Sequence, residues 1–386
     1  MSGKLSSFLE TTLALSEQFQ AALSPPDNNG SNTTSANSDP NALSLLSASS
    51  KALKSQVTKL SLFAINSPFT PPVLCAVLSA VNESVLPSLV TAALLITADK
   101  YTKGFHTEAQ VLTKTTLRDL SSLVESVKAI AAKKSGSSQA LTEHDLSATE
   151  KDAVTTAAGR VWDSCDVLTD LAGNGVVGFL MRRVEEWRDL VKDAICELEE
   201  WDPDEEDESF DDLLGDDDGD ESNTSKNRNH TSGTEGTLNG GRGDDDSAAL
   251  LAFKKSTLRV FKPIVQIFPA ILSNRLKKNG PTPSSSSSHL LPPSHIDKLE
   301  SLTRYLQDIP SLVDEAAGSL YEANIASAVI YTKNAKECAA QAVQLTTFPW
   351  SVMKDDAAQT PTEDKFTTWS RTWLKVMDEV MKPEEA

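Results

Sequence analysis

Early in the chain, apolar side chains recur at helical steps of three, four or seven residues: Leu43, Leu46, Leu53, Val57, Leu60 and Ala64. Residues three and four apart lie above one another on a helix surface, so this is the signature of a helix with one apolar face. The pattern returns in Leu117, Leu120, Val124, Val127 and Ala131, and again in Val177, Leu180, Val184, Trp187, Val191, Ala194 and Leu198. A fourth stripe is Ile296, Leu299, Leu302, Leu306, Ile309 and Val313. Extended to the nearest turn signals, the pattern predicts helices near 4–23, 41–66, 71–98, 107–133, 147–171, 175–200, 247–278, 295–317, 319–346 and 362–381. No segment shows the two-residue alternation of a strand.

Local signals refine these limits. Thr70 precedes Pro71 and Pro72, a capping residue ahead of prolines suited to a first helical turn. Ser147 with Glu150 three positions on fits a capping box, in which each side chain satisfies the other residue's free amide. Pro263 and Pro269 each remove a backbone donor from a helical stretch, which predicts a kink near Pro269. The most apolar stretch, Val73 to Ala98, carries Asn82, Glu83 and Pro87, which a lone bilayer-spanning helix would hold at high cost. It predicts a buried helix with a proline kink and no membrane insertion. From Ala316 to Ala342 alanines recur at close spacing, which predicts the tightly packed centre of a bundle.

Composition supports the same class. Of 386 residues, 39% are apolar but only 6% aromatic, a balance that suits close-packed helices better than sheets. The predicted fold is all-α: two antiparallel helical bundles, residues 1–200 and 247–386, joined by a disordered acidic linker at 201–246. Two further low-complexity stretches, Ser24 to Pro40 and Gly280 to Pro293, read as solvated loops. From Glu199 to Asp246 there are 19 acidic and 3 basic residues, so this run carries net −16 of the chain's −19. The helical part is nearly neutral and offers no basic stripe, which disfavours direct nucleic-acid binding.

Candidate chemistry is sparse. Cys75, Cys165, Cys196 and Cys338 stand alone, and read as small core hydrophobes rather than ligands. His106, His144, His230, His289 and His295 fall at helix ends or in loops, without the spacing of a zinc helix. Gly173, Gly175 and Gly178 resemble a phosphate-binding glycine run, but no strand precedes them, so a turn between two helices is the simpler reading. Asp216, Asp217, Asp218 and Asp220 lack the closing glutamate of a calcium loop, because the twelfth position from Asp216 is Asn227. The sequence thus predicts no catalytic residue, no cofactor and no metal site. The N-terminal residues lack the continuous apolar stretch of a signal peptide, which predicts an intracellular chain and leaves the Asn-x-Ser/Thr triplets without a glycosylation inference.

One motif points to a partner. Within the acidic run, Phe210, Leu213 and Leu214 fall at helical i, i+3, i+4 spacing. A short apolar face ringed by carboxylates suits folding onto a partner's groove, with charge steering the encounter and the apolar anchors supplying affinity. The alternative is that these residues extend the preceding helix or pack back on a bundle. Ser209, with Asp212 three positions on, sits where an acid-directed kinase acts, and phosphate there would add to the repulsion.

Several blocks resemble the cyclin-D-binding protein family of helical cell-cycle regulators. They are Val161-Trp162-Asp163-Ser164-Cys165, the helix from Val184 to Glu200, and Trp201-Asp202-Pro203 leading into the acidic run. A second set runs from Ile296-Asp297 through Val313-Asp314-Glu315 and Ser319-Leu320-Tyr321 to Asn334-Ala335-Lys336. The resemblance implies N- and C-terminal helical domains and non-catalytic, negative regulation of the cell cycle. The implied partners are a D-type cyclin or other helical cell-cycle and transcription regulators, in nucleus and cytoplasm, with no oligomeric state implied. The long serine-rich loop at 280–293, the N-terminal loop and the denser acidic run depart from the family pattern. Two other classes fit the same sequence: a vinculin- or catenin-like helical scaffold, and an acidic chaperone for basic proteins.

Overall fold

The computed structural model describes residues 2–24, 42–136, 146–203, 243–278, 280–281, 290–350 and 363–380. Among these residues every regular element is helical: α1 (Ser2–Ala22), α2 (Ala42–Ile65), α3 (Pro71–Ala80), α4 (Leu86–Leu95), α5 (Ala98–Tyr101), α6 (Lys103–Gly136), α7 (Ala148–Glu200), α8 (Gly243–Val265), α9 (Ile267–Ile271), α10 (Pro293–Tyr321), α11 (Ile325–Thr346) and α12 (Lys365–Val380). The all-α class read from periodicity is the observed one, with no strand among the described residues. The segment expected as a linker lies almost wholly at 204–242, outside the described residues.

The described chain divides into two compact units, residues 1–183 with 278–303 and residues 184–277 with 304–386. Both are discontinuous in sequence, whereas the division expected at 200 and 247 was continuous. The reason lies in two long helices, α7 and α10, each of which gives residues to both units.

In the first unit α1 packs on α3 and α6, and α2 on α3, α4 and α6. The α2 stripe is buried at Leu46, Leu53, Val57, Leu60 and Ala64, and the α6 stripe at Leu117, Leu120, Val124 and Val127. Polar contacts tie α7 to this core: Lys54 pairs with Asp166 at 2.6 Å, and the Ser164 hydroxyl donates to Asp119 at 2.5 Å. The start of α10 belongs to this unit because the Glu300 carboxylate accepts the Lys103 backbone N–H at 2.9 Å, satisfying a donor in the first turn of α6.

Pro71–Leu95 is long and apolar enough, by length and composition, to cross a membrane. In the structure its buried face, including Leu74, Leu78, Leu86 and Leu89, belongs to the core of this unit. The expected proline disturbance is there. Pro87 has no N–H to donate back one turn, and the preceding residues Val81–Val85 form a π-turn in which the Leu86 N–H reaches the Val81 carbonyl.

The capping box is formed as the sequence implied. The Ser147 N–H donates to Glu150 Oε2 at 2.9 Å, and the Glu150 N–H donates to Ser147 Oγ at 3.3 Å. Lys133 also reaches Glu150, and these bonds, Lys133 first, hold the Glu150 carboxyl down at about 2. Thr70 corrects an expectation. Its hydroxyl donates to the Pro68 carbonyl and caps nothing, so α3 starts where expected because of its prolines alone.

In the second unit α11 packs on α8, α9 and α12. Ala328, Ala335, Ala339 and Ala342 are buried along one face of α11, as close packing requires. The helix expected over 247–278 is broken twice. α8 ends at Val265, four residues ahead of Pro269, whose ring nitrogen cannot donate to that carbonyl; α9 is then followed by a π-turn at Leu272–Lys277.

A second correction concerns the boundary expected at Gly318. α10 runs through it to Tyr321, and the turn falls at Ala323, which has φ of 56°. The Asn324 N–H donates to the Ser319 carbonyl at 2.7 Å and the Ala323 N–H to the Leu320 carbonyl at 3.0 Å, the two bonds of a Schellman motif. Asn324 then caps α11 through Ser327 N–H. An alanine in the left-handed region costs about 1–2 kcal/mol, partly offset by the extra unfolded-state entropy of glycine. Ala323→Gly is therefore expected to raise the stability of this unit by about 0.5–1 kcal/mol in urea unfolding; a lower midpoint would contradict the strain.

Candidate functional site

Phe210, Leu213, Leu214 and Ser209 all lie outside the described residues. What the structure does present is a two-chambered cleft in the first unit, built around the kink of α7. At Gly175 the backbone has φ 62° and ψ −166°, a combination open essentially to glycine alone, so α7 is two helices joined at this residue. The glycine run is thus a junction between helices, as the sequence implied. Its location was legible, but the cavity beside it was not.

The larger chamber, about 540 Å³, lies between the first turns of α2 and this kink, with Ser44, Ser47 and Lys51 on one side and Gly173, Asn174 and Gly175 on the other. Tyr101, the last residue of α5, stands in its wall. A second chamber of about 160 Å³ shares Leu43, Tyr101, Asn174 and Gly175 with the first. It is completed by Lys100 and by apolar groups, among them Val176, Val177 and Leu291. Each chamber therefore carries one lysine, Lys51 in the larger and Lys100 in the smaller, and the smaller is otherwise mainly apolar.

Tyr101 is held rigidly. It stacks on Phe105 with ring centroids 5.7 Å apart, and Phe105 meets Phe179 edge-on at the same distance. The next residue, Thr102, has φ of 81°, rare for a β-branched side chain. His106 anchors the same corner through Nδ1, which lies 2.5 Å from the Ile96 carbonyl oxygen. This places His106 in the first turn of α6 as a bracing group, in line with a histidine at a helix end.

Elsewhere the reactive side chains are muted. Burial pushes the Cys165 thiol up to about 12, out of nucleophilic range. Among the described residues no three His, Cys, Asp or Glu side chains gather as metal ligands. Among the described residues the one fully buried charge is Arg275 in the second unit, and its bonds join separate stretches of the chain, at Thr346, Thr347 and Asp364.

The first set of blocks that carried the family resemblance falls along α7 and just beyond its C-terminal end. Val161 and Cys165 are buried in the first unit. In the second, Trp201 meets Tyr321 edge-on at 4.9 Å, while Lys254 donates to the carbonyls of Glu199 and Trp201 and so caps α7. Residues 45–204, spanning α2 to just beyond α7, match the family described as Grap2 and cyclin-D-interacting, N-terminal. This region belongs to that family. No curated protein matches the chain. That family's description names interaction partners and not a reaction. Both Tyr101 and the Gly175 kink fall within the matched residues 45–204, as do Ser47 and Lys51.

Proposed function

We propose that this protein is a non-catalytic regulator that binds a D-type cyclin or another helical cell-cycle or transcription partner, restrains cell-cycle progression, and acts in cytoplasm and nucleus. The observation that carries this reading is the family match over 45–204, on a stretch that is helical nearly throughout. Large apolar side chains left exposed in that stretch, Leu62, Phe63, Leu94 and Val111, give it further support, since their removal from water on docking is favourable. In this reading the bundle surfaces dock helices of the partner. Phe210, Leu213 and Leu214 add a second contact, and phosphorylation of Ser209 adds charge beside them.

Titration calorimetry of the full chain with a purified D-type cyclin tests the proposal. A saturable complex with Kd of about 10 μM or tighter is expected; absence of binding at several times that concentration removes the cyclin reading. Replacing Phe210, Leu213 and Leu214 together with alanine is expected to weaken the complex about tenfold or more, because three large apolar side chains leave the interface. Unchanged affinity would take the acidic run out of the mechanism. Salt separates the chaperone reading: an acidic surface gripping a basic protein loses its grip between low and physiological salt, whereas an apolar helix interface holds.

A further inference from the structure

Two independent features of the first unit converge on one cavity. Tyr101 is only 4% exposed, yet it lines both chambers of the cleft and its hydroxyl has no hydrogen-bond partner among the described residues. Burial pushes this phenol up from its ordinary value, so it is a neutral O–H donor. The second feature is the helix that starts after Gly175 and runs to Glu200. Its first residues line the smaller chamber, which brings the positive end of its dipole and its first-turn N–H groups to the cleft.

The rest of the lining agrees in sign. Lys51 and Lys100 bring two positive charges, Ser44 and Ser47 bring hydroxyls, and neither chamber is lined by an aspartate or glutamate. The lining is thus net positive within a helical part that is otherwise nearly neutral. Two cations, a helix N-terminus and an unspent O–H donor match a dianion with several acceptor oxygens better than a single carboxylate. The smaller, apolar chamber of about 160 Å³ is the size that takes one ring or branched aliphatic side chain.

We propose that this cleft binds a phosphoserine or phosphothreonine side chain of a partner protein. The phosphate sits where the two chambers meet at Tyr101, Asn174 and Gly175, with Lys51 on the side of the larger chamber and Lys100 and the helix end on the other, and an apolar residue next to it in the partner fills the rest of the smaller chamber. This goes beyond cyclin binding and does not depend on it.

The test uses the full chain and fluorescently labelled peptide libraries, degenerate around a central phosphoserine or phosphothreonine, alongside the same libraries without phosphate. The phosphorylated libraries are expected to bind at least about tenfold more tightly, with an apolar residue selected beside the phosphate and with inorganic phosphate as a competitor. Tyr101→Phe, which removes one oxygen, is expected to cost about tenfold, and Lys51→Gln with Lys100→Gln about a hundredfold, both with unaltered helicity. Equal binding of the two libraries, or variants that fold and bind like the parent chain, would overturn the proposal. So would binding of inorganic phosphate without binding of any phosphopeptide, which marks a free-ion site. Unphosphorylated cyclin is titrated separately against the parent chain, with no phosphate present, so the two readings stand or fall in different experiments.

Discussion

Arg275→Ala is expected to destabilise the second unit by about 3–5 kcal/mol, the largest effect of any single substitution considered. The guanidinium is 0% exposed. Its Nε donates to the Thr346 carbonyl at 2.7 Å and Nη2 to the Thr347 carbonyl at 2.7 Å, which satisfies the C-terminal end of α11. Nη1 and Nη2 also clasp Asp364 at 2.7 and 3.0 Å, while Asp364 accepts the Thr367 N–H at the start of α12. One side chain therefore caps the end of one helix and braces the cap of the next. Phe366 lies against the guanidinium at 4.3 Å, and Trp350 Nε1 donates to the Arg275 carbonyl at 2.6 Å.

Removal of Arg275 leaves two carbonyls and a carboxylate without their partner, which is the costly half of breaking a buried pair. Arg275→Lys is expected to recover only part of the loss, because an ammonium cannot reproduce the planar fork. Tryptophan fluorescence reads the outcome: of the six tryptophans all but Trp162 lie in this unit. A loss below about 1 kcal/mol in urea would show that the freed groups reach water.

Acid adds a second readout. Arg275, then Thr367, holds the Asp364 carboxyl well below the usual carboxylate range. A depressed native pKa contributes stability that is intact above the unfolded value near ~3.9 and lost as pH falls through the native one. The parent chain should therefore lose part of its margin over Arg275→Ala only below about pH 4.

How much of this was legible in sequence follows from the kind of force involved. The stripe from Ile296 to Val313 is buried at each of its six positions, because burial of apolar faces is what periodicity encodes. The Ser147 and Glu150 box was legible for the same reason, a fixed spacing with a fixed geometry. The Gly318 boundary was misplaced because a glycine is only permissive. A Cβ there would meet nothing within 4 Å, and the turn is made instead by Ala323, where two backbone bonds outweigh a strained angle. Arg275 escaped notice because its partners are 71 to 92 residues away in sequence. The cleft escaped for a related reason: Tyr101 and Lys51 lie on separate elements, and only the backbone angle at Gly175 brings a helix end between them.

That angle leads to the second large effect, in which the sign of a glycine substitution tells a kink from a straight helix. In a regular helix Gly→Ala stabilises by about 0.5–1 kcal/mol, since alanine has less freedom to lose. Gly159, in the same α7, has open space around the position of a Cβ and should follow that rule. Gly175→Ala is expected to do the opposite, lowering stability by about 1–3 kcal/mol, because φ of 62° with ψ of −166° is closed to an L side chain. Gly178→Ala should also destabilise, by about 1–3 kcal/mol, for a steric reason: its Cβ would fall 2.5 Å from Asn174 Cβ, an atom fixed to the backbone. Relief at either position means straightening α7, which would carry Asn174 and Val176 away from Tyr101 and remove one wall of the cleft. Urea unfolding followed by circular dichroism should show Gly159→Ala moving the midpoint up and the other two moving it down. If all three move it up, α7 is straight in solution and the cleft has no wall.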